Sequence, residues 1–307
     1  MSDSGGQERS DPGMDSGGQE RSDPGMDSGG QERSDPGMDS ALEHPAYGKL
    51  RRVTPTASVL LCDNPGLLTL DGTNTWVLQG ARSDEHVIVD PGPDDDAHID
   101  RIASLGKIPL VLISHKHGDH TDAIDKLVER TGATVRALGS GFLRGMGGPL
   151  TDGEVIDAAG VQIKVMATPG HTADSLSFLV DDVRGERSDG KGAVLTADTV
   201  LGRGTTVIDN EDGSLREYME SLRRLHGLGQ RTVLPGHGQD LPDLEAVTAM
   251  YLAHRKDRLE QVRDALRTLG DDATARQIVE HVYTDVDEKL WDHAEWSVQA
   301  QLNYLRS

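Results

Sequence analysis

The chain has 307 residues, 35% of them hydrophobic, with 52 acidic against 31 basic side chains and a formal net charge of −21. That length suits one large domain plus a small one, and the acidic balance excludes a broad, non-specific grip on nucleic acid or on an anionic membrane. A single cysteine, Cys62, excludes an intrachain disulfide framework; with no run of 18 apolar residues and no apolar signal-peptide core, the expected compartment is the cytoplasm and no membrane partner is expected.

Residues 1–45 are expected to form a disordered repeat tail. The unit Met-Asp-Ser-Gly-Gly-Gln-Glu-Arg-Ser-Asp-Pro-Gly runs over 14–25 and again over 26–37, with a near copy over 1–13. A polar 12-residue period rich in Gly, Ser and Pro has no apolar face to stack. Residues 1–40 carry a balance of −7, which leaves −14 for the remainder.

From Ala57 the pattern becomes that of a folded domain. Strands are expected at 57–62, 73–78 and 86–90, separated by Asn64-Pro65-Gly66 and Asp71-Gly72 and ended by Asp90-Pro91-Gly92. Ile99, Ile102 and Leu105 mark a short helix stopped by Gly106, and 108–114 is a buried strand. After it comes His115-Lys116-His117-Gly118-Asp119-His120, then a helix carrying Ile124, Leu127 and Val128, with Thr121 expected as its cap. A strand at 134–138 leads into a glycine-rich segment, 139–153, whose spacing fits no phosphate-cradling loop and which is expected to be flexible.

The strand at 161–168 ends in Pro169-Gly170-His171-Thr172, and another follows at 175–180. Residues 184–191 read as a charged turn, and the apolar run 193–197 ends at Asp198. Leu215, Met219, Leu222 and Leu225 share a helix face, and a short strand at 232–234 ends in Pro235-Gly236-His237-Gly238. Three helices follow: a long one carrying Leu244, Val247, Tyr251, His254, Leu259, Val262 and Leu266, then 274–283 and 291–305, joined by Asp285-Val286-Asp287.

Imidazole nitrogens and carboxylate oxygens are what a zinc-type ion binds. His115, His117, Asp119 and His120 are too crowded for one tetrahedral ion, so two adjacent ions are the better reading. His115, His171, Asp198 and His237 each follow an apolar strand directly. Strand ends in a layered α/β protein converge on one edge, which is where such sheets place their sites.

These motifs, with Gly72-Thr73-Asn74-Thr75-Trp76, Asp90-Pro91-Gly92, Ser175 and Thr196-Ala197-Asp198, resemble the metallo-β-lactamase fold superfamily, and within it the β-lactamase-like protein 2 branch, over about residues 50–305. The resemblance implies an α/β fold, an αββα sandwich over 46–240, with a small helical, winged-helix-like module over 241–307. It implies two zinc ions per chain: His115, His117 and His171 holding the first, Asp119, His120 and His237 the second, and Asp198 bridging them. Asp90 is expected beneath the metals, orienting a ligand, and Asp119 is expected to orient the attacking water and receive its proton. His254 and Arg255 are expected to hold an anionic substrate. The wing hairpin is expected to be missing or short, because Ser307 follows the last helix closely, and the balance of −5 over 242–307 argues against a phosphate-backbone grip.

Such ions supply a hydroxide at neutral pH, so hydrolysis is the expected reaction. A small-molecule acyl (thioester or ester) substrate leads. The alternatives are single-stranded RNA, a lactone or β-lactam ring, and a non-catalytic binding scaffold.

Overall fold

The computed structural model describes residues 47–181, 192–209, 211–284 and 287–306. The expected repeat tail, the charged turn at 184–191, and Asp285 and Val286 of the joining segment lie outside the described residues.

Six strands make the first sheet, neighbouring one another in chain order: β1 (Arg51–Arg52), β2 (Ala57–Leu61), β3 (Asn74–Leu78), β4 (Glu85–Val89), β5 (Lys107–Leu112) and β6 (Thr134–Arg136). β1 to β4 pair antiparallel, whereas β4, β5 and β6 are parallel. Parallel neighbours need a crossover. It is supplied by α1 (Asp96–Ala103) after β4, and by α2 (Gly118–Thr121) and α3 (Ile124–Thr131) after β5. Asp95 caps α1 by accepting from the His98 amide at 2.7 Å.

The expected Thr121 cap is corrected. Thr121 ends the single turn of α2, and its hydroxyl donates back to the His117 carbonyl at 3.0 Å. Ala123 stands at the start of α3, and its amide finds the Gly92 carbonyl at 3.1 Å instead.

The second sheet runs β11-β10-β9-β8-β7, from β7 (Val155–Ala158), β8 (Val161–Ala167), β9 (Leu176–Asp181), β10 (Ala193–Ala197) and β11 (Thr232–Pro235). Only β10 and β11 are parallel, joined through α4 (Leu215–His226). β7 emerges from a stretch with no strand expectation. It pairs with β8 through a tight Ala159-Gly160 turn in which both residues have positive φ. The glycine-rich stretch before it is pinned: Leu150 is fully buried, and Arg144 pairs with Asp125.

Alternation sorts the side chains. Trp76, Leu78, Val89 and Leu112 point from the first sheet into a core shared with Ile163, Val165, Phe178 and Leu195 of the second. Val77, Ile88 and Val111 point the other way and bury the apolar faces of α1 and α3. Val194 and Val233 do the same beneath α4 and α5 (Leu244–Leu269). The result is the αββα sandwich.

α5 is shared between two cores. Val247 and Tyr251 pack on the sandwich, while Val262 and Ala265 pack with α6 (Ala275–Val282) and α7 (Trp291–Arg306). Asp243 caps α5, and a Thr274–Gln277 capping box opens α6. Among the described residues, no helix is long and apolar enough to cross a membrane.

Candidate metal centre

The segments after β4, β5, β8, β10 and β11 leave the two sheets along one edge and deliver Asp90, the His115–His120 loop, His171, Asp198 and His237 respectively. Their donor atoms form groups within 4.8 Å: His115, His117, His171 and Asp198 in one, and Asp119, His120 and His237 in another. His117 Nδ1 lies 3.0 Å from His115 Nε2 and 3.1 Å from His171 Nε2. His237 Nε2 lies 3.2 Å from His120 Nε2, 3.1 Å from Asp119 Oδ2 and 3.3 Å from Asp198 Oδ2.

Local backbone features aim these groups. Asp90 and Ala197 both have positive φ, 56° and 45°, a conformation that costs a non-glycine residue about 1–2 kcal/mol. A register shift between Leu195 and Ala197 turns the end of β10, and the Gly236 amide holds the Ala197 carbonyl at 2.9 Å. Gly236 allows a close approach to two of the donor residues. A Cβ there would stand 2.3 Å from Asp198 Oδ1 and 3.0 Å from His120 Cε1. Gly170, before His171, has φ +136°, and a Cβ there would meet the Tyr218 backbone at 2.3 Å.

The outer nitrogens decide what the inner ones can do. His171 Nδ1 donates to the Val207 carbonyl at 2.6 Å, and His237 Nδ1 donates to the Gly72 carbonyl at 3.1 Å. His120 Nδ1 donates to Asp90 Oδ2 at 3.0 Å. Ser114 gives its hydroxyl proton to Asp90 at 2.6 Å, so its oxygen accepts from His115 Nδ1 at 2.9 Å. His117 Nε2 faces Asp209 Oδ2 at 3.4 Å. In its neutral form each imidazole thus keeps its proton outside and turns a lone pair inward. Between neutral rings, inner nitrogens 3.0–3.2 Å apart cannot hydrogen-bond one another. Asp198 Oδ1 is likewise buried with no hydrogen-bond partner. This donor set fits divalent cations.

Charge reinforces the arrangement. Burial raises the Asp198 pKa, but His237 and His120 outweigh it and hold the carboxyl well below its usual value. Burial lowers His237, but Asp198 and Asp119 drive it well above the ordinary histidine value. His115, wholly buried and close to His120, is pushed well below. Asp119 is held low by His120 and His237 against its own burial.

Arg255 corrects an expectation. It is only 3% exposed: its Nη2 donates to the Thr206 carbonyl, and its guanidinium lies 5.0 Å above the Tyr218 ring. Its charge is turned inward because Arg255 falls four residues from both Tyr251 and Leu259, on the apolar stripe of α5. His254 is half-buried with its Nδ1 unpartnered, and burial beside Arg255 and Arg258 lowers its pKa to about 4. Sequence reasoning missed Ser114 and the carbonyl partners; a backbone carbonyl leaves no residue-type signal. A cavity of about 1140 Å³ lies at the opposite ends of the strands, lined by residues 80–85 and 157–162, away from the donor cluster.

A family model described as the metallo-beta-lactamase superfamily matches residues 68–237, and one described as the beta-lactamase associated winged helix domain matches 274–307. The lactamase-like protein nscB of Trichophyton rubrum is 31% identical over 227 residues, 72% of this chain and 66% of that protein, just under two thirds of its length. The atrochrysone carboxyl ACP thioesterase of Aspergillus fumigatus is 32% identical over 75% of this chain and 74% of its own. The crystal structure of a beta-lactamase domain protein from Burkholderia ambifaria superposes with a TM-score of 0.71 at 22% identity, covering 87% of this chain and 90% of the other.

Proposed function

The chain belongs to the metallo-β-lactamase superfamily, and from that premise we propose that it is a metal-dependent hydrolase of acyl thioesters. The observation that carries the reading is the convergence of five imidazole inner nitrogens, their outer nitrogens engaged elsewhere, around a buried, unpartnered carboxylate oxygen. His115, His117, His171 and Asp198 would hold one zinc ion and Asp119, His120 and His237 a second, with Asp198 Oδ2 also standing 3.3 Å from His237 Nε2 between the two groups. When bound, such ions make a water acidic enough to supply hydroxide near pH 7 and take up charge developing on a substrate oxygen.

The chain's own groups do the rest. Asp119 is ionised and partly open to solvent, with its side chain 27% exposed. Its Oδ2 lies 3.5 Å from the Thr73 hydroxyl, which takes its own hydrogen bond from Asn64 at 2.9 Å. Asp119 is therefore held where it can receive the proton of an attacking water. The water oxygen bonds to the acyl carbon, the carbon–sulfur bond breaks, and the proton passes to the departing thiolate, leaving a carboxylic acid and a thiol. Asp90 keeps His120 and, through Ser114, His115 in register.

The thioester class rests on the name of the Aspergillus fumigatus relative. Purified protein assayed against thioesters, lactones, nitrocefin and labelled single-stranded RNA tests it. Zinc-dependent release of thiol is the expected result. Cleavage of RNA or nitrocefin with no thioester turnover would overturn it.

A further inference from the structure

The segment between β10 and α4 serves one half of the centre and not the other. Thr206 donates its hydroxyl to the Asp198 carbonyl at 2.7 Å, the Val207 carbonyl takes the His171 Nδ1 proton at 2.6 Å, and Asp209 Oδ2 faces His117 Nε2 at 3.4 Å. Within four residues, three members of the His115–His117–His171–Asp198 group find their outer partners. The other group is supported elsewhere: His120 by Asp90 and His237 by the Gly72 carbonyl.

Both ends of this segment are anchored by cations. At one end is Arg255 of α5, whose guanidinium is held by the Thr206 carbonyl and the Tyr218 ring, with no carboxylate paired to it among the described residues. A guanidinium buried without a counter-charge is costly, and an apolar side chain would fill the same space more cheaply. At the other end is Lys116, inside the metal loop itself. Its ammonium meets Asp209 at 3.0 Å, Asp212 at 3.1 Å and Glu211 at 3.3 Å. The Asp209 amide closes the arrangement on the His171 carbonyl at 2.9 Å.

We propose that residues 206–209 are a strap that presets the His117–His171–Asp198 half of the centre, with Asp209, Arg255 and Lys116 as its positioning residues. The inference rests on the metal-centre reading above and extends it: through Arg255, the long C-terminal helix becomes part of the machinery that orders one metal half-site. An outer partner fixes the tautomer and ring orientation of a ligating histidine, and its loss typically weakens metal binding 10–100-fold. Asp209 and Val207 face His117 and His171, which belong to the first group alone, so a loss acting through those two rings falls on one of two sites.

The test is a zinc titration of the metal-stripped full-length chain against a chromophoric chelator, which yields two stepwise dissociation constants. Asp209→Asn weakens one constant about 10–100-fold and leaves the other within about threefold. Arg255→Gln weakens the same constant, and Arg255→Lys, which keeps a cation over Tyr218, restores part of it. The double variant loses less than the product of the single losses, because both residues act on one strap. A merely structural Arg255 lowers the melting temperature and moves neither constant, which overturns its role. Should Arg255→Gln fail to fold, Asp209→Asn, a near-isosteric change at a side chain 14% exposed, carries the test. A wild-type chain that takes up no zinc overturns the metal-centre reading and the strap with it. Two wild-type constants that both stay within about twofold in Asp209→Asn overturn the strap alone.

Discussion

Replacing Gly236 by alanine adds one methyl group at a tight point of the centre. The new Cβ would lie 2.3 Å from Asp198 Oδ1, 3.0 Å from His120 Cε1 and 3.1 Å from the Ala197 carbonyl carbon, where ordinary contact begins at 3.4 Å. Asp198 must therefore retreat by about 1 Å, and its backbone is already held in a turned conformation by Ala197. Overpacking of this kind costs about 1–3 kcal/mol of stability, and a misplacement of about 1 Å in a catalytic constellation costs about 100-fold in rate. Thiol release from a thioester, zinc content and the melting temperature are measured together. The expected result is a folded protein with reduced zinc content and turnover down about 100-fold. Gly148→Ala is the control, since a Cβ there meets nothing within 4 Å. Full zinc content and turnover within about threefold of wild type in Gly236→Ala would refute the close-approach reasoning.

Three further outcomes follow from the same geometry. Asp90→Asn exchanges one of two acceptor oxygens for a donor, so the Ser114 amide, the Ser114 hydroxyl and His120 Nδ1 can no longer all be accepted, and zinc affinity should fall about 10–100-fold; unchanged affinity in the chelator titration counts against its orienting role. His237, raised well above 6.5 by Asp198 and Asp119, carries a proton at neutral pH until an ion displaces it. Zinc affinity should therefore rise with pH, by about tenfold per unit for each proton released, and a flat profile between pH 6 and 8 (roughly the range where histidine titrates) contradicts this. His98 is buried with Nδ1 unpartnered, and its pKa is lowered from 6.5 to about 4. The unfolded chain takes the proton first, so His98 costs nothing above pH 6.5 and progressively destabilises the fold down to about pH 4, by about 3 kcal/mol in all. His98→Asn should flatten that decline in urea unfolding, and an unaltered pH slope would exclude His98 as its source.

Much of the architecture was legible because the side chains alternate. Trp76 and Leu78 face one core while Val77 faces the other, so strand faces and the two outer helix layers follow from period-two and helical spacing. The donor residues were legible because His115, His171, Asp198 and His237 each follow an apolar strand, and strand ends share an edge. The supports were not. Val207 and Gly72 act through carbonyls, which any residue possesses. Gly236 reads as a turn signal, yet what requires it is the distance to Asp198. Arg255 had a signal that charge concealed: it sits on the same stripe as Tyr251 and Leu259, and an arginine on an apolar stripe is bound to something inside. Thr121 looked like a cap because the single turn of α2 that it ends has no apolar period to announce it.

The central claim is that seven side chains from four strand ends hold the ions that hydrolysis needs. The direct measurement is stepwise return of zinc to the metal-stripped, full-length protein while thiol release from a thioester is followed. Turnover should be absent at the start and climb to a plateau near two equivalents per chain. Full turnover in the stripped protein, unaffected by added zinc or chelator, would contradict it.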